Sequence, residues 1–190
     1  NMYLVSDHTS SVLIDPSTPP SVVCADFPGG LPHLDAILLT HAHFDHMLGI
    51  DEWVRQTGAP VYVGKEDADA LSDPGKNAYR LFSGEERGYT GAYHTVEDGQ
   101  ILCFPSFRVE VMATPGHTPG SVSYRIGDAA FTGDLLFDGG GYGRCDLPGG
   151  NLSALFSSVR RLAGRTDIRM LYPGHGTSFS PRHLAAQFQP

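Results

Sequence analysis

The chain has 190 residues, 41% of them hydrophobic, which is enough for one domain with a full core, and no low-complexity run or charge block suggests a second. Only 13 Lys and Arg stand against 21 Asp and Glu, for a formal charge of −8, so the clustered cations that bind a nucleic-acid backbone are missing and no nucleic-acid partner is expected. No run approaches the ~20 apolar residues of a membrane crossing, the N-terminus has no basic-then-apolar leader, and Cys24, Cys103 and Cys145 are odd in number and widely spaced; a cytoplasmic protein with no membrane partner is the expectation.

In chain order, Met2 to Val5 and Ser11 to Asp15 flank a turn-like Ser6 to Ser10 and predict a hairpin. Asn1 already stands at the edge of the first strand, so a short leading segment is expected before it. Ala36 to Thr40 predicts an apolar strand, and Thr40-His-Ala-His-Phe-Asp-His-Met-Leu-Gly49 follows directly. His41 and His43 lie two apart, so in an extended or tightly looped segment both rings can point to one side and bind the same ion. Asp45 and His46 face elsewhere. Four ligand-type side chains aimed in two directions suit a pair of divalent ions better than one closed tetrahedral cage.

Gly49 to Thr57 predicts a helix with Ile50, Trp53 and Val54 on one face and Gly58 as its stop. Ser72 to Gly91, interrupted by Pro and Gly and carrying Lys76, Asn77 and Tyr79, is the expected wall of a substrate cleft. Gln100 to Phe104 and Phe107 to Met112 predict a second hairpin, after which Ala113-Thr-Pro-Gly-His-Thr-Pro-Gly120 places His117 on a braced turn. Val122 to Ile126 alternates as a strand, turns at Gly127-Asp128 and returns as Ala129 to Thr132, so that Phe131-Thr-Gly-Asp134 ends in a carboxylate. Asn151 to Ala163 predicts a helix with Leu152, Leu155, Phe156, Val159 and Leu162 on its apolar face, Asn151 as N-cap and Gly164 as stop. Leu171-Tyr-Pro-Gly-His-Gly176 ends a last strand at His175. Each candidate sits where a strand stops, the usual place for function in layered α/β folds. The two halves echo each other, each running from a hairpin to a strand with a ligand-rich end, and two similar halves imply a two-sheet sandwich.

The order His-x-His-x-Asp-His, Gly-His-Thr, Thr-Gly-Asp, Pro-Gly-His-Gly resembles the metallo-β-lactamase fold superfamily over nearly the whole chain. Leu38 to His46, Thr114 to Ser121, Phe131 to Phe137, Gly143-Arg-Cys-Asp-Leu-Pro-Gly-Gly150 and Tyr172 to Gly176 are similar to the small glyoxalase II-like hydrolases, relatives of hydroxyacylglutathione hydrolase. The stretch from Pro60 to Pro74 is similar as well. That group usually has Thr where Cys145 stands and a His or other polar residue where Gly64 stands. The resemblance implies an α/β fold, an αββα sandwich of two mixed β-sheets with outer helices, and one domain over residues 1–190. Only Thr177 to Pro190 follow His175, so no C-terminal helical glutathione-binding domain is expected.

By the same resemblance His41, His43 and His117 hold a first metal, Asp45, His46 and His175 a second, and Asp134 bridges them, with Asp45 and Asp134 in the catalytic role. The implied cofactors are two divalent metal ions, zinc first, with iron or manganese suited by the same ligands. The implied reaction is hydrolysis of a small-molecule acyl thioester such as S-lactoylglutathione, whose acidic thiol leaves without a general acid. The alternatives are a persulfide dioxygenase with one iron at His41, His117 and Asp134, or a lactonase. Hydrolysis of β-lactams is disfavoured, because the shared carboxylate Asp134 marks the glyoxalase-like branch.

Arg144 and Tyr142, beside the glycines of Gly139 to Gly143, are candidates for binding a substrate carboxylate. Thr40 and Thr118 are expected to hydrogen-bond behind the ligands, and Asp15 to serve as a supporting carboxylate rather than a ligand. Cys145 is expected to pack as a small hydrophobe, and His8, His33, His94 and His183 to be surface or hydrogen-bonded histidines.

Overall fold

Alternation along β2 (Ser11–Ile14) sends Val12 and Ile14 to one side and Leu13 to the other, and all three are buried. A strand with no solvent face must lie between two packed layers. In the computed structural model, which describes residues 1–181, Val12 and Ile14 face a second sheet and Leu13 faces a helix layer.

The first sheet holds β1 (Tyr3–Ser6), β2, β3 (Ala36–Leu38), β4 (Val61–Gly64) and β5 (His94–Val96), in that spatial order. Its β1–β2 pair is antiparallel and the others are parallel. The second sheet has the order β10-β9-β8-β7-β6, from β6 (Ile101–Cys103), β7 (Arg108–Ala113), β8 (Val122–Ile126), β9 (Ala129–Gly133) and β10 (Met170–Pro173). Here only β9–β10 is parallel. Both sheets are therefore mixed, and each is built from one half of the chain. The helices are α1 (Pro20–Val23), α2 (Ile50–Thr57), α3 (Tyr79–Ser83) and α4 (Leu152–Ala163).

Three cores hold the layers. Val12, Ile14, Ala36 and Leu38 meet Val109, Val111, Tyr124 and Phe131 between the sheets. Leu13, Ile37 and Val61 pack outward onto Ile50 and Trp53 of α2, and Met112, Ala130 and Leu171 pack outward onto Leu155, Val159 and Leu162 of α4. At roughly 1.5–3 kcal/mol for each fully buried large apolar side chain, these faces supply the main driving force for stacking. The expected αββα sandwich is the architecture observed.

Both hairpins form where alternation places them. Gly58 closes α2 with φ of 68°, a left-handed conformation that costs glycine little, and Asn151 Oδ1 accepts from the Ala154 amide at 3.0 Å at the start of α4. Three expectations change. The strand Ala36 to Thr40 stops at Leu38, because Leu39 and Thr40 already turn toward the histidine loop. Gly164 ends α4 with φ of −74°, so no left-handed glycine stop is used. Leu152 is 45% exposed, since the first turn of α4 overhangs the sheet. Neither β5 nor α3 is foreshadowed: β5 has three residues, two of them exposed, and α3 has five, entered through the left-handed Ala78 at φ 67°. His94 stacks on Tyr62 with ring centroids 5.1 Å apart, the exposed His33 lies 3.5 Å from Asp35, and His183 lies outside the described residues. No helix among the described residues is long and apolar enough to cross a membrane.

Candidate metal centre

Strand ends converge to make the site. The chain leaving β3 presents His41 and His43, and the turn Phe44–His46 adds Asp45 and His46. The β7–β8 turn presents His117, β9 runs into Asp134, and β10 into His175. Backbone bonds tie these ends together: the Val122 amide donates to the Thr40 carbonyl and the Gly174 amide to the Gly133 carbonyl, each at 2.8 Å. Glycine at 174 is required by proximity, because a Cβ there would lie 2.2 Å from Asp134 Oδ1 and 2.6 Å from the His46 ring.

All seven expected ligand residues come together. His41, His43 and His117 form one group whose ligand atoms lie within 4.8 Å of one another; His41, His46 and Asp134 form a second, and Asp45, His46 and His175 a third. Asp134 Oδ2 stands 3.6 Å from His117 Nε2 and 3.5 Å from His175 Nε2, between the outer trios. Asp45 Oδ2 is 3.2 Å from His175 Nε2.

The ring nitrogens show where protons reside. His117 Nδ1 lies 2.7 Å from the Arg144 carbonyl, which can only accept, so Nδ1 carries the proton and Nε2 presents a lone pair. His46 Nδ1 likewise donates, to Asp15 Oδ2 at 2.8 Å. Thr40 spends its hydroxyl proton on Asp15 at 2.6 Å, so it accepts from His41 Nδ1 at 3.1 Å, and His41 Nε2 is left bare. Asp15 thus orients His46 directly and His41 through Thr40, the supporting role expected of it.

Electrostatics separates the groups. Burial and the neighbouring imidazoles of His46 and His117 push His41 well below the ordinary histidine range, and burial beside His117 lowers His43 to about 3. Burial also disfavours charge on His46, yet the negative charge of Asp15 and the contact with Asp134 outweigh it and lift His46 to about 10. Hydrogen bonds with Asp134 and Asp45 raise His175 to about 9. Burial opposes ionisation of Asp134 and Asp45, but hydrogen bonding to His175 wins in both and lowers them, Asp134 strongly.

Do these residues fit metal ions? Nε2 of His41 is buried without a hydrogen-bond partner, and the equally buried Nε2 of His46 and Oδ1 of Asp134 have only each other, at 3.3 Å, an arrangement that is costly unless something positive completes it. Across the first trio His43 Nδ1 and His117 Nε2 face each other at 2.8 Å. Neutral imidazoles and carboxylates are the donor set of zinc, iron and manganese, so the residues present fit.

A cleft of about 360 Å³ opens onto the cluster, lined by Asp45, His117, Asp134 and His175 and walled by Phe44, Ala78, Phe82, Phe137 and Leu147. Arg144 reaches its rim with the guanidinium bound to Asp146 through two 2.7 Å contacts, while its carbonyl orients His117. Tyr142 does not line this cleft. Its ring packs edge-on against Phe156 of α4, centroids 5.2 Å apart. The segment Ser72 to Gly91 walls the cleft as expected, through Ala78 and Phe82 rather than Lys76, Asn77 or Tyr79. Lys76 pairs with Asp69, Asn77 is buried, and Tyr79 packs into the first core. Cys145 packs beside the core under α4, and burial raises its thiol pKa.

Sequence reasoning missed Asp67. Buried at 1% exposure, it accepts from the Ala42 and Gly120 amides at 3.0 and 2.7 Å and from the Thr118 hydroxyl at 2.8 Å, lacing the histidine loop to the His117 turn. Its only signal was an acidic residue after an apolar strand. Gly64 leaves no room for a larger residue: a Cβ there would meet the Gly120 carbonyl oxygen at 1.9 Å.

Two five-stranded sheets between helices, with a histidine and carboxylate cluster at the strand ends, define an α/β sandwich with a candidate dinuclear centre. The profile of the Metallo-beta-lactamase superfamily matches residues 1–175, and the chain belongs to that superfamily. It is 41% identical over 145 residues to the probable metallo-hydrolase YqgX of Bacillus subtilis, covering 74% of this chain and 68% of that protein. Among solved structures, BLEG-1, described as a B3 metallo-beta-lactamase, superposes with a TM-score of 0.88 at 30% identity, over 98% of this chain and 91% of that one. TTHA1623, solved in a di-iron-bound form, superposes with a TM-score of 0.83 at 36% identity, over 100% and 93%.

Proposed function

We propose that this chain is a dinuclear-metal-dependent hydrolase of acyl thioesters, glyoxalase II-like in its chemistry. The observation that carries the reading is the convergence of seven ligand-type side chains, among whose inward atoms His41 Nε2 has no hydrogen-bond partner and His46 Nε2 and Asp134 Oδ1 have only each other. His41, His43 and His117 would hold one ion, Asp45, His46 and His175 the other, and Asp134 both. When bound, such a pair supplies a water that deprotonates near neutral pH and a Lewis acid for the acyl oxygen. Zinc is the first choice; the di-iron form of TTHA1623 supports iron as a real alternative, and manganese suits the same donors.

The chain's own groups then have distinct tasks. Asp134, set between the trios, fixes their separation. Asp45, one oxygen near His175 and the residue only partly buried, can direct a water proton with its other oxygen. Asp15, Thr40 and the Arg144 carbonyl engage Nδ1 of His46, His41 and His117, so that each ring turns its Nε2 inward. No cysteine nucleophile is needed, since Cys145 packs away from the cleft. A thiolate leaves without prior protonation, which suits a cleft whose titratable groups are all spoken for.

The test is an assay of protein loaded separately with Zn, Mn and Fe. Substrates are S-lactoylglutathione, a simple acyl thioester, a homoserine lactone, a β-lactam, and glutathione persulfide with an oxygen electrode. Thioester cleavage without oxygen uptake is expected. Oxygen-dependent sulfite formation with inert thioesters would move the assignment to a one-iron dioxygenase, and turnover of the lactone or β-lactam alone would replace the thioester reading.

A further inference from the structure

Outside the candidate ligands, the cleft beside the metal centre is walled by Phe44, Ala78, Phe82, Phe137, Gly143 and Leu147. None of these side chains offers a hydrogen bond. The Phe44 and Phe82 rings are stacked at 5.5 Å, and Phe137 lies edge-on to the His175 imidazole at 5.9 Å, so the apolar wall begins at the reacting end and runs outward. Phe82 stands 53% exposed at the mouth, a large apolar surface that the described residues cover only in part. Apart from the candidate ligands, Arg144 is the one cation among the described residues that line the cleft. Its two-point contact with Asp146 balances its charge, and its guanidinium carbon lies 5.7 Å over the Phe82 ring.

These features bear on what can sit next to the scissile carbonyl. A hydroxylated acyl group would give up water there and find no uncommitted side-chain partner. An anionic thiol carrier such as glutathione would find no unpaired cation among the described lining residues. A plain hydrocarbon chain loses nothing and gains the burial of each methylene against the aromatic rings. The volume of about 360 Å³ is at the small end for ligand clefts, enough for a short to medium chain.

Resting on the thioesterase reading above, we propose that the cleft selects thioesters with an unsubstituted apolar acyl chain, and that Phe82 is the residue that sets this preference. Two measurements test it. With metal-loaded protein and thioesters of one simple thiol, kcat/KM should rise about threefold per methylene from acetyl to hexanoyl, in line with the transfer gain of a buried CH₂. S-lactoylglutathione should fall below the hexanoyl ester. In Phe82→Ala the hexanoyl-to-acetyl ratio should drop about tenfold, whereas Phe82→Leu should restore most of it.

The second measurement needs no turnover: calorimetric binding of straight-chain carboxylates from two to eight carbons, with Kd falling steadily with length in the parent protein and much less in Phe82→Ala. If no thioester is cleaved, the thioesterase reading fails and the binding series alone judges the apolar cleft. A Kd independent of chain length, a length series unchanged by Phe82→Ala, or preference for S-lactoylglutathione over the hexanoyl ester would overturn the inference.

Discussion

The two outer trios of the candidate centre are built differently. His41, His43 and His117 are each at most 4% exposed, whereas His175 is half exposed and Asp45 only partly buried. The buried trio is all imidazole, and burial and mutual repulsion hold His41 and His43 low, so that these two rings stay neutral and ready to donate lone pairs. The open trio mixes imidazole with carboxylate, and its histidines hold protons until a stronger cation displaces them. The difference teaches that one ligand type, histidine, is set to opposite protonation states within a few ångströms by what surrounds it.

The hardest test of this contrast removes what the trios share. Asp134→Ala should weaken both ions together and reduce activity at least a hundredfold, more than loss of a supporting partner costs a metal site. Elemental analysis should show well under one equivalent, against two for the parent. His175→Ala should lose chiefly one equivalent, and if the two variants lose metal alike, the assignment of Asp134 to both trios is wrong.

Protons give the next test. In chelated protein, His41 and His43 favour the neutral form, so their contribution to stability is present above the unfolded imidazole pKa of about 6.5 and is lost as pH falls toward 3. His46 and His175, raised to about 10 and about 9, contribute fully below about 6.5, and that contribution is lost as pH rises through 9 to 10. His175, being half exposed, supplies the smaller part because solvent screens it. The midpoint of thermal unfolding should therefore peak near pH 6 to 7, and a steady rise to pH 9 would break the contrast. Metal titrations should show the second equivalent binding more tightly as pH rises, with proton release, while the first changes little between pH 6 and 9.

Asp15→Asn sharpens the comparison from behind the ligands. It removes the carboxylate that orients His46 directly and His41 only through Thr40, so the affinity of the second ion should fall roughly 10- to 100-fold and that of the first by less. Competition with a chelator measures both. Asp67→Ala should act on the buried side instead: two amides and a hydroxyl lose their acceptor, at a cost of about 2–4 kcal/mol in denaturant unfolding. The smallest effect belongs to Cys145→Ser, which should keep its metal and most of its turnover; abolished hydrolysis at unchanged metal content would contradict a mechanism without a thiol.

Much of this was legible in the chain itself. Alternation and glycine turns mark the hairpins, helical spacing with Asn151 marks α4, and ligand-type residues at strand ends mark all seven members of the cluster, because local periodicity and residue chemistry are local properties. Other features came only from distant segments meeting. The tautomers of His41, His46 and His117 depend on Asp15, Thr40 and the Arg144 carbonyl, groups up to 31 residues away. Asp67 reads as an ordinary acidic residue until the His117 turn, some fifty residues later, closes over it. The packing of Tyr142 on Phe156 and of Phe82 on Phe44 is likewise absent from a one-dimensional pattern, because packing direction depends on residues distant in the chain. The sequence by itself determined which side chains can bind metal and which strands lead into them. The tertiary structure alone decided their protonation, their support and the apolar cleft beside them, because burial and hydrogen-bond geometry exist only once both sheets have packed.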